Sequence, residues 1–254
     1  MNKLKLLSCL VLAGASAALR AEQLVPVIER VKPSIVGIGS YQKTHSPALA
    51  FIGTGFVSGD GLTIVTAAHV VQKIREGDSK DEETIGILSS TGDSTQFRGA
   101  VLVALDQEHD LAQLRIGGAP LPALQLGDSG KVSEGQAMAF TGFPLGMILG
   151  LHHVTHRAMV SSITPVVMPA PDAKKLDAKV VAQLQKPPFA VFQLDATAYP
   201  GSSGSPLYDA ETGLVYGVIS MVYVKGLKEA AITAPSGITY AIPGNFIREL
   251  LRQK

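Results

Sequence analysis

Gly201-Ser202-Ser203-Gly204-Ser205-Pro206 lies in a loop between two short apolar segments, and its reading governs how the rest of the chain is interpreted. A nucleophilic serine needs an accessible hydroxyl and a backbone that turns tightly enough to aim two N–H groups at a developing oxyanion. Glycine on both sides allows that turn, because it takes up backbone angles that side chains exclude. On this reading Ser203 attacks, and the N–H groups of Gly201 and Ser203 are the oxyanion donors. The same composition also makes plain turns, so the stretch gains meaning only through partners elsewhere.

Two partners stand upstream. Thr66-Ala67-Ala68-His69-Val70 places a histidine directly after a β-branched strand, with small neighbours that permit close approach. His109-Asp110-Leu111-Ala112 offers a carboxylate at the start of an apolar strand, where it can hold an imidazole by its Nδ1–H. Alone, such a histidine is more often structural and such an aspartate a strand-start cap. Together and in this order they make a candidate Ser-His-Asp triad.

The surroundings read as all-β. Short apolar runs broken by glycine cover 34–41, 53–58, 63–67, 99–106, 111–116, 136–143, 153–162, 189–195, 207–208, 215–223 and 239–242. A polar, glycine-containing stretch at 127–135 divides them into two sets of similar size, and no repeat of 20 to 50 residues is visible. Helical signals are few: a short turn at 68–75, an amphipathic segment at 244–252, and a proline-bracketed segment at 172–185 that interrupts the β-rich second half. The last reads as a surface insertion, with a gating or partner-binding element as its alternative.

With these pieces in place, 66–70, 110–114 and 201–207 resemble the three catalytic motifs of chymotrypsin-like serine proteases, whose chain order His, Asp, Ser separates them from subtilisins and α/β-hydrolases. Pro33-Ser34-Ile35-Val36, Gly53-Thr54-Gly55-Phe56-Val57, Gly142-Phe143-Pro144-Leu145-Gly146 and Gly237-Ile238-Thr239-Tyr240-Ala241-Ile242-Pro243 further resemble the bacterial Deg/HtrA branch. The resemblance implies two six-stranded antiparallel β-barrels with the active site in the cleft between them and a short C-terminal helix. The first barrel would occupy 22–127 and the second 128–254. It implies His69 as general base, Asp110 as its orienting carboxylate, Ser203 as nucleophile and Gly201 as second oxyanion donor. It also places Ser220 near the triad carboxylate and Met221 to Tyr223 on the strand edge that pairs with an extended peptide, with Ser220, Met221 and Val222 among the substrate-binding residues.

Departures from the family matter as much. Ile35-Val36-Gly37 looks like the activating amino terminus of animal members, but residue 202 is serine, so the carboxylate that would receive that terminus is missing. A strand is expected there instead. The HtrA branch usually carries a PDZ domain after the protease, whereas this sequence ends soon after 244–252, and 164–188 replaces the family's regulatory loops. By count Thr197 falls at the base of the specificity pocket beside Ala198. A basic side chain would find no counter-ion there. Ile219 stands where glutamyl endopeptidases use a pocket histidine. Small or medium aliphatic residues before the scissile bond are expected.

Composition bounds the setting. Two lysines within residues 1–5, an apolar run at 6–13 and small residues after it read as a signal peptide over 1–21, cleaved after Ala17 or Ala18. Cys9 is the one cysteine and falls inside that segment, so the mature chain would hold no disulfide and no thiolate metal site. Export to the periplasm is expected first and secretion second, with no membrane span after cleavage. A net charge of +1 with scattered Lys and Arg gives no nucleic-acid patch. His152, His153 and His156 read as exposed polar residues of a strand rather than metal ligands. No cofactor is expected, polypeptides are the substrates, and monomer and homo-oligomer both stay open. Two readings compete: a periplasmic endopeptidase acting on unfolded or exported proteins, and a protease-fold binding or chaperone protein whose triad is misaligned. Peptide amidase or esterase activity is a third.

Overall fold

A computed structural model describes residues 24–75, 84–91, 94–146, 150–166, 188–220 and 237–252. Among them, strands β1 (Ile35–Tyr41), β2 (Leu49–Ser58), β3 (Thr63–Ala67), β4 (Thr84–Thr91), β5 (Ser94–Asp106) and β6 (Leu111–Ile116) close one antiparallel barrel in the order β1-β2-β3-β6-β5-β4. The second barrel comprises β7 (Ala137–Gly142), β8 (Val154–Pro165), β9 (Ala190–Asp195), β10 (Pro206–Asp209), β11 (Val215–Ser220) and β12 (Ile238–Pro243). Its order, β10-β11-β12-β9-β8-β7, is the first barrel's order read in reverse. The two halves therefore share one topology although no sequence repeat announces it. Helices α1 (Leu24–Val31), α2 (Ala68–Arg75) and α3 (Gly244–Leu250), with 3₁₀ turns at Lys32–Ser34 and Ser129–Lys131, complete the described elements.

Each barrel is filled by the inward faces of its strands, with Ile38, Ile64, Ile87 and Leu114 in the first and Phe140, Val160, Leu194 and Ile219 in the second. Helix α2 plugs the first barrel through Val70, Val71 and Ile74. A third apolar cluster lies between the barrels, where Phe56, Val65 and Leu111 meet Phe143, Tyr208, Val218 and Ile242. Each such side chain removed from water contributes ~1.5–3 kcal/mol, so the cleft is floored by packed core.

The terminal helices clasp the barrels crosswise. Helix α1 precedes the first barrel in sequence, yet Leu24, Val27 and Val31 are buried in the cluster that holds Tyr208 and Val215, and Arg30 donates to the Thr212 carbonyl at 2.9 Å. Helix α3 follows the second barrel and lies against β5 and β6 of the first, with Ile247 and Leu250 buried. Helix α1, which lies within the segment expected for the first barrel, thus packs on elements of the second.

Eleven of the twelve described strands overlap segments expected from the sequence; β4 was not expected. Its Ile87 and Leu88 are buried, but polar Thr84 and 89–91 flank too short an apolar run to announce a strand. Residues 35–37 lie in β1, paired with β2. The expected signal peptide, the helix at 172–185 and residues 221–223 lie outside the described residues.

Candidate active site

The last residue of β3 leads straight into α2, so His69 stands in the first turn of that helix at the cleft. A helix start leaves backbone N–H groups without intrahelical acceptors. The His69 N–H is one of them, and Asp110 Oδ1 accepts it at 2.9 Å. The other carboxylate oxygen accepts from His69 Nδ1 at 2.7 Å and from the Ser220 hydroxyl at 2.6 Å. Asp110 is 6% exposed. It sits at φ 54, a left-handed conformation that costs an ordinary residue but suits aspartate better than most. Backbone and side chain both stabilise it there, since the Asp110 carbonyl also accepts from Ala68 N–H at 3.0 Å.

The turn that presents Asp110 is itself braced. Asp106 accepts the N–H groups of Glu108 and His109 and pairs with His109 Nδ1 at 2.6 Å. The His109 ring stacks on Phe246 of α3, centroids 3.8 Å apart, and meets Phe189 edge-on. Second-barrel aromatics thus hold the residue next to Asp110, a role His109 did not show in the sequence.

The glycine–serine loop approaches from the opposite wall. Ser203 is 6% exposed, its carbonyl accepts from Thr54 N–H at 2.8 Å, and its neighbour Gly204 donates to the Ile219 carbonyl at 2.8 Å. Gly201 adopts φ 100, and a Cβ there would stand 2.4 Å from the Phe143 carbonyl oxygen, so glycine is required on both counts. The Pro200 carbonyl is turned onto Leu145 N–H at 2.7 Å. Because a trans peptide is planar, the Gly201 N–H points the opposite way, away from the loop at 143–145. Neither it nor the Ser203 N–H meets an acceptor among the described residues. The Ser203 hydroxyl makes no hydrogen bond among them either, so the Ser203–His69 link is unmade.

The expected pocket residues fall as follows. Thr197 and Ala198 are half-buried, and Thr239 clamps that segment by donating to the Ala196 carbonyl at 2.7 Å and accepting from Ala198 N–H at 2.9 Å. Ile219 is fully buried in the second core, behind Ala196 and Ala198. Ser220 turns its hydroxyl to Asp110, leaving only its backbone for a substrate. Met221 and Val222 lie outside the described residues. Sequence reasoning missed the braces Thr54, Leu145 and Thr239, although all three sit in stretches it singled out.

One expectation is corrected. His153 and His156 are not exposed strand residues: both are half-buried, and strand β8 begins only at Val154. His153 lies against Phe143 and its Nε2 contacts the Ile35 carbonyl at 3.2 Å, linking the barrels, while His156 stacks on Phe140. Burial pushes both below the ordinary 6.5, and for His153 the charges of Lys32 and His152 add to this, against the opposing pull of the Ile35 carbonyl. The unfolded chain therefore takes up protons at a pH where the fold still refuses them. Stability is full above about pH 6.5 and falls on acidification below it, by at most about 1.4 kcal/mol per pH unit for each histidine. Thermal melts from pH 7.5 to 5 should show the loss, and His156→Gln should flatten it. Among the described residues no group of His, Cys, Asp and Glu side chains is arranged to hold a metal, and no helix is long and apolar enough to cross a membrane.

Comparison with known proteins places the fold in a family. Residues 53–218, which run through both barrels and all three motifs, match the model of the trypsin-like peptidase domain. The chain is 30% identical over 199 residues to a "Probable periplasmic serine endoprotease DegP-like" of Halomonas elongata, covering 78% of this chain and 34% of that one. It is 31% identical over 235 residues to the mitochondrial serine protease HTRA2 of Bos taurus, covering 91% and 43%. The chain thus spans less than half the length of these relatives. In three dimensions it resembles Deg5 with a TM-score of 0.64 at 23% identity, over 90% of this chain and 92% of that one. It also resembles the HtrA-type protease AlgW bound to a decapeptide, with a TM-score of 0.62 at 20% identity over 90% and 66%. By family match, homology and fold together, the chain belongs to the trypsin-like peptidase family, as a homologue of the HtrA/DegP serine proteases.

Proposed function

We propose that this protein is a serine endopeptidase that cleaves unfolded or exported polypeptides through His69, Asp110 and Ser203, in the periplasm or outside the cell. The observation that carries the reading is the complete set of bonds on Asp110: one carboxylate holds His69 by backbone and ring at once and takes the Ser220 hydroxyl besides. A carboxylate on Nδ1 leaves Nε2 as the basic nitrogen facing the cleft. Ser203 Oγ then attacks the scissile carbonyl carbon as its proton passes to Nε2. The oxyanion is received by the Gly201 and Ser203 N–H groups. Nε2 returns the proton to the leaving amine as the C–N bond breaks. Water, activated by the same nitrogen, hydrolyses the acyl-enzyme and restores Ser203.

The unmade Ser203–His69 bond is what favours the competing reading, a binding or chaperone protein on this fold. Such bonds are often long without substrate and tighten on binding. Covalent labelling of the mature protein with a fluorophosphonate probe decides between them. Labelling that vanishes in Ser203→Ala is expected; no Ser203-dependent labelling would establish the binding protein instead. The described pocket wall, Ala196, Thr197, Ala198 and Thr239, carries no charge, which supports a preference for small or medium aliphatic residues before the cut. Mapping of cleavage sites in denatured casein should show this preference, and cuts following Lys, Arg or Glu would overturn it.

A further inference from the structure

Thr54, fully buried on β2 of the first barrel, makes four hydrogen bonds, two of them to the glycine–serine loop of the second barrel and a third to Phe143 beside it. Its N–H donates to the Ser203 carbonyl at 2.8 Å. Its hydroxyl donates to the Gly201 carbonyl at 2.7 Å and accepts from Phe143 N–H at 3.1 Å. Its own carbonyl accepts the Thr66 hydroxyl at 2.6 Å, which fixes the residue from behind. One side-chain oxygen therefore joins the two stretches that decide where the Gly201 N–H points.

The geometry explains why this matters. Gly201 lies between two peptide planes. The plane before it carries the Gly201 N–H and is held by Leu145 N–H on the Pro200 carbonyl; the plane after it carries the Gly201 carbonyl and is held by the Thr54 hydroxyl. Glycine at this position offers little resistance to rotation of either plane. Leu145 holds its plane from φ 52, a conformation unfavourable to leucine, and only Pro144 separates it from Phe143, whose N–H the same hydroxyl secures. Without that hydroxyl, the Gly201 carbonyl and the Phe143 N–H both lose their partners, and the restraint on each plane is weakened. Space is not the agent, because a valine side chain has nearly the same shape.

We propose that Thr54 is a positioning residue of the oxyanion hole, whose hydroxyl locks the Gly201 N–H toward the cleft from the opposite barrel. This rests on the serine endopeptidase reading above. It touches no reacting atom and acts only through the peptide planes. Stabilisation of the tetrahedral oxyanion is therefore what it controls, rather than binding of the peptide.

The test compares wild type, Thr54→Val and Thr54→Ser, with active sites titrated by the fluorophosphonate probe so that kcat refers to competent molecules only. Thr54→Val is expected to lower kcat per titrated site about 10- to 100-fold, approaching loss of one oxyanion donor, with KM within about 3-fold. Affinity for a peptidyl boronic acid should fall in parallel with kcat/KM. Thr54→Ser, which keeps the oxygen, should stay within about 3-fold of wild type on each measure. A merely structural role would lower the titratable fraction and leave kcat per site within 2-fold, and that result overturns the proposal. If the valine variant does not fold, Thr54→Ala removes the same hydroxyl with less crowding of the unpaired groups and is judged by the same criteria. If wild type does not label, the endopeptidase reading fails by itself. Crystal structures of wild type and variant then decide the conformational claim, and an unchanged Pro200–Gly201 peptide in the variant refutes it.

Discussion

Asp110→Asn is expected to fold like the wild type and to lose about 10⁴-fold in kcat, the scale that follows when an imidazole is held in the wrong tautomer. The bonds at Asp110 dictate this outcome. Asn replaces one carboxylate oxygen by an NH₂ group, and two positions are available to it. At the Oδ1 position the NH₂ would face the His69 N–H, which can only donate and, at the start of α2, has no intrahelical acceptor. The amide oxygen therefore takes that position, and the NH₂ takes the place of Oδ2. There it meets His69 Nδ1 and the Ser220 hydroxyl. The hydroxyl can rotate to accept; the imidazole can accept only by moving its proton to Nε2. In the proposed mechanism that nitrogen must be free to take the proton of Ser203, so the base is lost while the geometry is kept. Steady-state kinetics on a peptide amide, with far-UV circular dichroism as the fold control, checks the prediction. An Asn variant within tenfold of wild type would remove Asp110 from the mechanism.

How much of this could be read from residues alone follows from how far each feature depends on what lies opposite in space. The strands were legible because alternation and glycine breaks are local properties of the sequence. Strand β4 was not, since its assignment rests on pairing with β1 and β5 rather than on its own short apolar core. Helix α1 carries Leu24, Val27 and Val31 at helical spacing, yet nothing local says that they pack on the barrel that comes last. The types and order of His69, Asp110 and Ser203 were visible as motifs. The second bond from Asp110 to the His69 backbone, the Thr54 hydroxyl between two loops and the grip of Phe246 on His109 all join residues from distant parts of the chain. The same reason misplaced His153 and His156: a polar side chain in an expected strand reads as solvated unless its neighbours in space are known.

Gly204→Ala should have the largest effect on stability, and a second glycine separates its two causes. Gly204 sits at φ 87, where an L side chain is strained, and a Cβ built there lies 2.0 Å from the Thr54 carbonyl oxygen and 2.4 Å from the Thr66 hydroxyl. Neither neighbour can give way easily. Thr54 and Thr66 lie in the paired strands β2 and β3, and the Thr66 hydroxyl donates to the carbonyl concerned. Gly118 has nearly the same angle, φ 84, but a Cβ there meets nothing within 4 Å. Gly118→Ala should thus cost the backbone strain alone, about 1–2 kcal/mol. Gly204→Ala adds the overlap, about 1–3 kcal/mol more, for a total of about 2–5 kcal/mol out of the ~5–15 kcal/mol that keeps a domain folded. Urea midpoints of the two variants measure the difference directly. The Gly204 variant should also lose turnover before it loses its secondary structure, because relief of the overlap moves Ser203 and its N–H away from the wall that Thr54 provides. Equal midpoints for the two variants would mean that the loop yields to the added methyl group, and that the close approach of the two barrels at Ser203 is not what holds the nucleophile in place.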